Sequence, residues 1–84
     1  MDFTKFKALL DEQMSWPDRY TFKFVIKTER KTELVRILSD HSVQERESKK
    51  GTYTSITSEK MVASPEEVVA VYKEASKIEG ILSL

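Results

Sequence analysis

The sequence predicts an α+β fold in one domain, on three observations. Residues 19 to 28 alternate, with Tyr20, Phe22, Phe24 and Ile26 on one side and Thr21, Lys23, Val25 and Lys27 on the other, the period of a strand. Ser64-Pro65-Glu66-Glu67 is a helix-start signature ahead of apolar residues at helical spacing. The breakers Pro17, Gly51, Pro65 and Gly80 divide the 84 residues into short elements of both kinds, with no internal repeat or low-complexity stretch.

Asp2 to Met14 places Phe3, Phe6, Leu9, Leu10 and Met14 on one helical face, with Asp2 as the N-terminal cap. Pro17 biases Trp16 away from the helical region and separates this amphipathic helix from the first strand. Arg19 to Thr28 is the strongest strand, because β-propensity and alternation agree throughout it. Thr32 to Asp40 carries Leu34, Val35, Ile37 and Leu38 on one helical face, and Glu33 in its first turn suits the helix dipole. Ser42 to Ser48 alternates weakly around Val43 and is otherwise charged, which suits an edge strand that must not pair with other edges. Lys49, Lys50 and Gly51 form the hairpin turn, with Gly51 free to take positive φ.

Thr52 to Val62, rich in β-branched residues and serine, is the third strand. Ser64 is the N-cap of the last helix, Pro65 its first residue and Glu67 the closing half of a capping box. Val68, Val69, Val71, Tyr72, Ala75 and Ile78 continue that helix until Gly80, and Ile81 to Leu84 is a short final strand. Setting the first helix aside leaves βαββαβ, the order of the ferredoxin-like plait. Right-handed crossovers then put two helices on one face of a four-stranded antiparallel sheet. Tyr20, Phe22, Phe24, Ile26, Thr54, Ile56 and Ser58 should meet the helices, while Tyr53, Ser55 and Thr57 share the open face with Thr21, Lys23 and Val25. The expected division is an amphipathic helix in residues 1 to 15 and the plait in residues 16 to 84.

Trp16-Pro17 followed by Tyr20-Thr21-Phe22-Lys23, then Lys50-Gly51-Thr52-Tyr53-Thr54-Ser55, then an acidic-start helix and a short apolar C-terminal strand, resembles the YbeD-like family of small bacterial proteins of unknown function. The resemblance runs from residue 16 to residue 84 and leaves the N-terminal helix outside it. It implies a plait similar in layout to amino-acid-binding ACT-type regulatory domains, in a bacterium, and it brings no catalytic residues.

Composition narrows the function classes. Fourteen Lys plus Arg balance fourteen Asp plus Glu, so the long-range positive field of a duplex-binding or membrane-surface protein is missing. The absence of cysteine removes disulfides, thiolate zinc sites and cysteine nucleophiles together, which fits a reducing compartment and a fold held by packing. No run approaches the length of a membrane span, and Met1 to Lys5 lacks the order of a signal peptide, so a cytoplasmic location is expected. Within the neutral total, residues 19 to 60 hold ten basic and six acidic side chains, a bias resting on Lys23, Lys27, Arg30, Lys31, Lys49, Lys50 and Lys60. As a mixed surface this needs no function; as a feature it suits a small anionic ligand or an acidic partner.

His41 is the only histidine, so no two-histidine metal cluster can be drawn, and its place at a helix end predicts a capping or solvent role. The pairs Asp11-Glu12, Glu45-Glu47 and Glu66-Glu67 read as a solvated helix face, edge-strand charge and a capping box rather than as acid-base machinery. Neither glycine sits in a phosphate-cradling pattern. RNA-recognition modules share the plait, but with Lys50-Gly51 aligned to their third-strand motif the aromatic positions fall on Thr52, Thr54 and Thr57. Nucleic acid is therefore disfavoured, and RNA binding on the open face is the alternative rather than the expectation.

These readings converge on a non-enzymatic regulatory or binding module with no metal and no cofactor. Lys23, Tyr53 and Ser55, with Lys50 nearby, are the expected ligand or partner contacts on the open face. Phe3, Phe6, Leu10 and Met14 cannot all remain in water, so the first helix either packs on its own domain, over the open sheet face or along an edge, or serves as a homodimer or partner docking helix. Packing is the favoured reading, with Tyr53 against Phe3 or Phe6.

Overall fold

The protein is described by a computed structural model over residues 3–84. Its elements are α1 (Phe3–Gln13), β1 (Asp18–Lys27), a 3-10 turn (Thr28–Arg30), α2 (Lys31–Ile37), β2 (Ser42–Glu47), β3 (Tyr53–Val62), α3 (Pro65–Ala75) and β4 (Leu82–Ser83). Asp2, read as the cap of the first helix, lies outside the described residues. The four strands form one antiparallel sheet in the order β2-β3-β1-β4. This is the ferredoxin-like plait with an added N-terminal helix.

The centre of the sheet is the long β1–β3 pair, running in unbroken register from Asp18 opposite Val62 to Lys27 opposite Tyr53. Alternation then decides what each face carries. Phe22, Phe24 and Ile26 on β1 and Thr54, Ile56 and Ser58 on β3 are all fully buried under the helices. Leu34 and Leu38 from the α2 segment and Val68, Tyr72 and Ala75 from α3 close over them. Tyr72 meets Phe22 and Phe24 with ring centroids 5.4 and 5.7 Å apart, and its hydroxyl lies 3.5 Å from that of Tyr20. The two inward hydroxyls are satisfied, Thr54 by Thr28 at 2.8 Å and Ser58 by His41 at 3.2 Å, as buried polar groups must be.

Helix α1 packs beside α3 on the helix-covered face, not over the open sheet face or an edge. Leu10 enters the common core, Phe3, Phe6 and Met14 pack against it, and the Phe6 ring stands edge-on to Tyr72 at 5.6 Å. The expected contact of Tyr53 with Phe3 or Phe6 is therefore absent, because the Tyr72 side of the helix layer offers deeper apolar burial than a sheet face rimmed with lysines. Leu9, read as part of the apolar stripe, points outward and is exposed, since the stripe of α1 narrows to Phe3, Phe6, Leu10 and Met14.

Two turn details refine the sequence reading. Gly51 in the β2–β3 hairpin and Gly80 after α3 both take positive φ, where a side chain would strain the backbone. Ser64 is the N-cap of α3 and Pro65 its first residue, but the expected capping box does not form, because the Ser64 side chain makes no cap hydrogen bond and the Glu67 N–H goes to the Ser64 carbonyl at 3.2 Å. The Glu67 carboxylate accepts from the N–H of Ala63 at 2.9 Å rather than from Ser64.

Candidate functional site

The open face of the sheet gathers three of the four residues expected to contact a ligand or partner. Its register sets them in rows running across the strands, with neighbours about 5 Å apart. One row runs Arg46, Ser55, Val25, Leu82, and the next runs Gln44, Thr57, Lys23. Leu84 continues that second row, its N–H donating to the Lys23 carbonyl at 2.9 Å. On the other side of the first row, Tyr53 stands opposite Lys27. An apolar cluster of Val25, Leu82, Leu84 and Tyr53 is thus ringed by Lys23, Lys27 and Arg46.

Exposure separates this cluster from an ordinary strand surface. Leu84 is 73% exposed, Leu82 59% and Tyr53 45%, so three large apolar side chains fall in three successive rows of one face. Among the described residues, no carboxylate lies within 4.0 Å of the Lys23, Lys27 or Arg46 head groups. Among the described residues the one side-chain carboxylate on this face, Glu59, stands one row beyond Lys23, opposite Thr21, and faces Arg19 at 3.7 Å. A shallow hollow of about 240 Å³ lies against Tyr53, lined by Val25, Arg46, Glu47, Ser48, Tyr53 and Ser55. Glu47 at its rim is turned toward Lys31, 3.9 Å away. Across Tyr53 a second hollow is lined by Lys27, Thr28, Glu29, Gly51 and Thr52.

Of the expected contacts, Tyr53, Ser55 and Lys23 do share the open face, while Lys50 sits in the hairpin turn outside the sheet. Lys23 is two rows from Tyr53, and the cation beside Tyr53 is Lys27. Arg46, Leu82 and Leu84 were not among the expected contacts. Their signal was the hairpin and final-strand pairing, since counting back from Gly51 sets Arg46 beside Ser55.

Elsewhere, two larger hollows hold ion pairs of their own. One of about 480 Å³ contains Arg19, Asp40, Glu59 and Lys60, which pair with one another as Arg19–Glu59 and Lys60–Asp40. Another, between α1 and α3, contains Lys7 and Glu66, 3.4 Å apart. The Glu66 carboxyl is held below its ordinary value by hydrogen bonding to its own backbone, Ser64 and Lys7.

His41 departs from the capping and solvent role expected of it. Its side chain is only 1% exposed and packs against the Phe22 ring, 5.2 Å between centroids. Burial pushes its pKa down, the nearby Asp40 opposing the shift and Lys60 adding to it. Asp40 lies 3.6 Å from Nε2 and can only accept, so the tautomer that suits both contacts carries its proton on Nε2 and accepts a hydrogen bond from the Ser58 hydroxyl at Nδ1. Ser58 thus meets the consecutive residues Asp40 and His41, and it lies 17 positions beyond His41. Ser58 is fully buried in the core, however, and a nucleophile must reach a substrate, so this group is a structural network. Among the described residues no group of three or more His, Asp or Glu side chains converges as metal ligands, and no helix is long and apolar enough to cross a membrane.

Comparison with known proteins places this geometry in a family. Residues 11–84 match the family model described as "Protein of unknown function (DUF493)". The chain belongs to that family. Relatives include a UPF0250 protein of Haemophilus influenzae, 30% identical with 88% of each chain covered, and a UPF0250 protein of Shewanella sediminis, 35% identical with 84% of this chain and 89% of the relative covered. These are the YbeD-like proteins that the sequence resembles. No solved structure matches. The family model covers the plait and only the last turn of α1, so the open face falls wholly within it.

Proposed function

We propose that this family member is a non-enzymatic binding module whose open sheet face is its contact surface for another protein. The observation that carries the reading is the contrast on that face between exposed Tyr53, Leu82 and Leu84 and the unpaired cations around them. Exposed apolar clusters rimmed by charge are the usual composition of protein interaction sites. The titratable cluster most like an active site, around His41, lacks an accessible nucleophile, and this favours binding over catalysis. A shallow hollow suits a side chain of a partner better than a free metabolite, which is normally enclosed on most sides.

A photo-crosslinking residue placed at Tyr53 in the native bacterium tests this. Discrete adducts are expected at position 53, suppressed by Leu84→Ser, with none from a control at Glu12 on the exposed side of α1. Absence of adducts at 53, or equal adducts at both positions, would overturn the reading.

A further inference from the structure

Resting on the open-face reading, we infer that the occupant of that face is an acidic amphipathic helix of another protein. Four observations define it, and the first is charge. Across β1, β2 and β3 the face presents Arg19, Lys23, Lys27 and Arg46 against Glu59 alone, and the Arg19–Glu59 pair is already made. The three cations left over surround Val25, Leu82, Leu84 and Tyr53, so the complementary surface has an apolar centre and carboxylates on its flanks. Arg46 offers a planar fork for a carboxylate beside Ser55, and Lys27 offers a point charge on the other side of Tyr53.

The second observation concerns backbone. A segment laid across the face of a sheet finds no ladder partners there, because strand N–H and C=O groups lie in the sheet plane. An extended occupant would bury its own backbone polar groups without partners, whereas a helix satisfies them internally. Helices already cover the other face of this sheet, and a helix on the open face would complete a three-layer arrangement.

The third observation is charge again, as a filter. A second copy packed face to face would set Lys23, Lys27 and Arg46 against a surface of the same sign, so self-association through this face is disfavoured. The fourth is aromatic content. Tyr53 is the only aromatic ring on the face, so bases of an RNA strand would find one stacking platform where sheet-face RNA readers provide two or three.

The test uses the full chain and three defined probes: a capped 14-residue helix-forming peptide with Leu on one face and Glu on its flanks, the same peptide with Lys for every Glu, and a 15-nucleotide oligouridylate. Binding is followed by NMR amide shifts and fluorescence anisotropy at low and moderate salt. The Glu peptide is expected to shift Val25, Lys27, Tyr53, Ser55 and Leu82, to weaken with salt, and to be preferred at least tenfold over the Lys peptide. The double variant Lys27→Glu with Arg46→Glu, checked for an unchanged thermal midpoint, is expected to reverse that preference. Equal binding of the two peptides, shifts confined to the helices, tighter binding of the oligouridylate, dimerisation through this face in sedimentation, or no peptide binding at 1 mM would each overturn the inference. Position-specific adducts at Tyr53 together with a failed peptide test would leave the open-face reading standing and refute only the acidic helix.

Discussion

The two faces of the sheet are made by the same residues of backbone and obey opposite rules. Under the helices, β1 contributes Phe22, Phe24 and Ile26, every one fully buried, and the two hydroxyls that intrude, Thr54 and Ser58, each have a partner. On the reverse, β1 contributes Thr21, Lys23, Val25 and Lys27, and the large apolar side chains near them remain in solvent. The difference teaches where stability resides, and it is the ground on which we propose recognition for the open face. The covered face is over-determined, so its residues answer to packing, while the open face is free to answer to a partner.

The sharpest way to break this contrast is to truncate one residue on each face. Phe22→Ala or Phe24→Ala is expected to cost about 3–5 kcal/mol, enough to bring a domain of this size close to unfolding. Tyr53→Ala is expected to stay within about 0.5 kcal/mol of the parent. Urea titrations that found the two costs similar would show that the open face is structural.

Next in size is the attachment of α1. Leu10 is the residue of that helix that reaches the core, so Leu10→Ala should cost about 2 kcal/mol, at the low end for a buried leucine because it lies at the core margin. A thermal midpoint unchanged by this substitution would detach α1 from the covered layer and restore a docking role for it.

A smaller effect belongs to His41. Its folded pKa lies below the ordinary 6.5, so the unfolded chain takes up the proton first as the solution is acidified. The stability it contributes is complete above the unfolded value and is lost as pH falls through that value toward the folded one, with a slope of at most about 1.4 kcal/mol per pH unit. Ser58→Ala leaves Nδ1 without its hydroxyl partner and should cost about 1–3 kcal/mol, part of it the desolvation of the orphaned ring nitrogen. A stability profile flat between pH 7 and 5 once His41→Gln is compared with the parent would remove histidine from the account.

The smallest expected effect is on the paired surface charges. Glu45→Gln removes the negative charge of the 3.0 Å pair with Lys31, and exposed pairs of this kind contribute between about 0 and 1 kcal/mol. A larger loss would mean that the β2 edge is held by charge rather than by its ladder to β3.

Most of the fold was legible because local signals and global topology agree in this chain. Alternation in β1 and β3 assigned the faces correctly residue by residue, Pro65 fixed the start of α3 and Gly51 the β2–β3 hairpin, whereas α3 stops at Ala75, ahead of the Gly80 that the sequence set as its end. What alternation could not convey was which elements lie side by side. Leu82 and Leu84 acquire meaning only beside Val25 and Lys23, and Arg46 only beside Ser55, through pairings remote in sequence. His41 was misread for the same reason. Its position at a helix end suggested solvent, yet the loop after α2 turns it beneath β3 against Phe22. The direction of α1 was equally invisible, since an apolar stripe announces that something must cover it without saying what.

The central β1–β3 pair has a bearing on how the chain reaches this state. The two strands sit side by side from end to end, yet α2 and β2 intervene between them in the chain, and β4 pairs with β1 from still farther away. The local β2–β3 hairpin can close early around Gly51, but it has no covered face until β1 arrives. Loop closure must therefore precede most of the reward, which is the pattern of domains with high contact order. Refolding should accordingly be slower than in helical bundles of equal length, and substitutions in Phe24 and Ile56, which meet across that pair, should slow it more than substitutions in α1 of equal cost to stability.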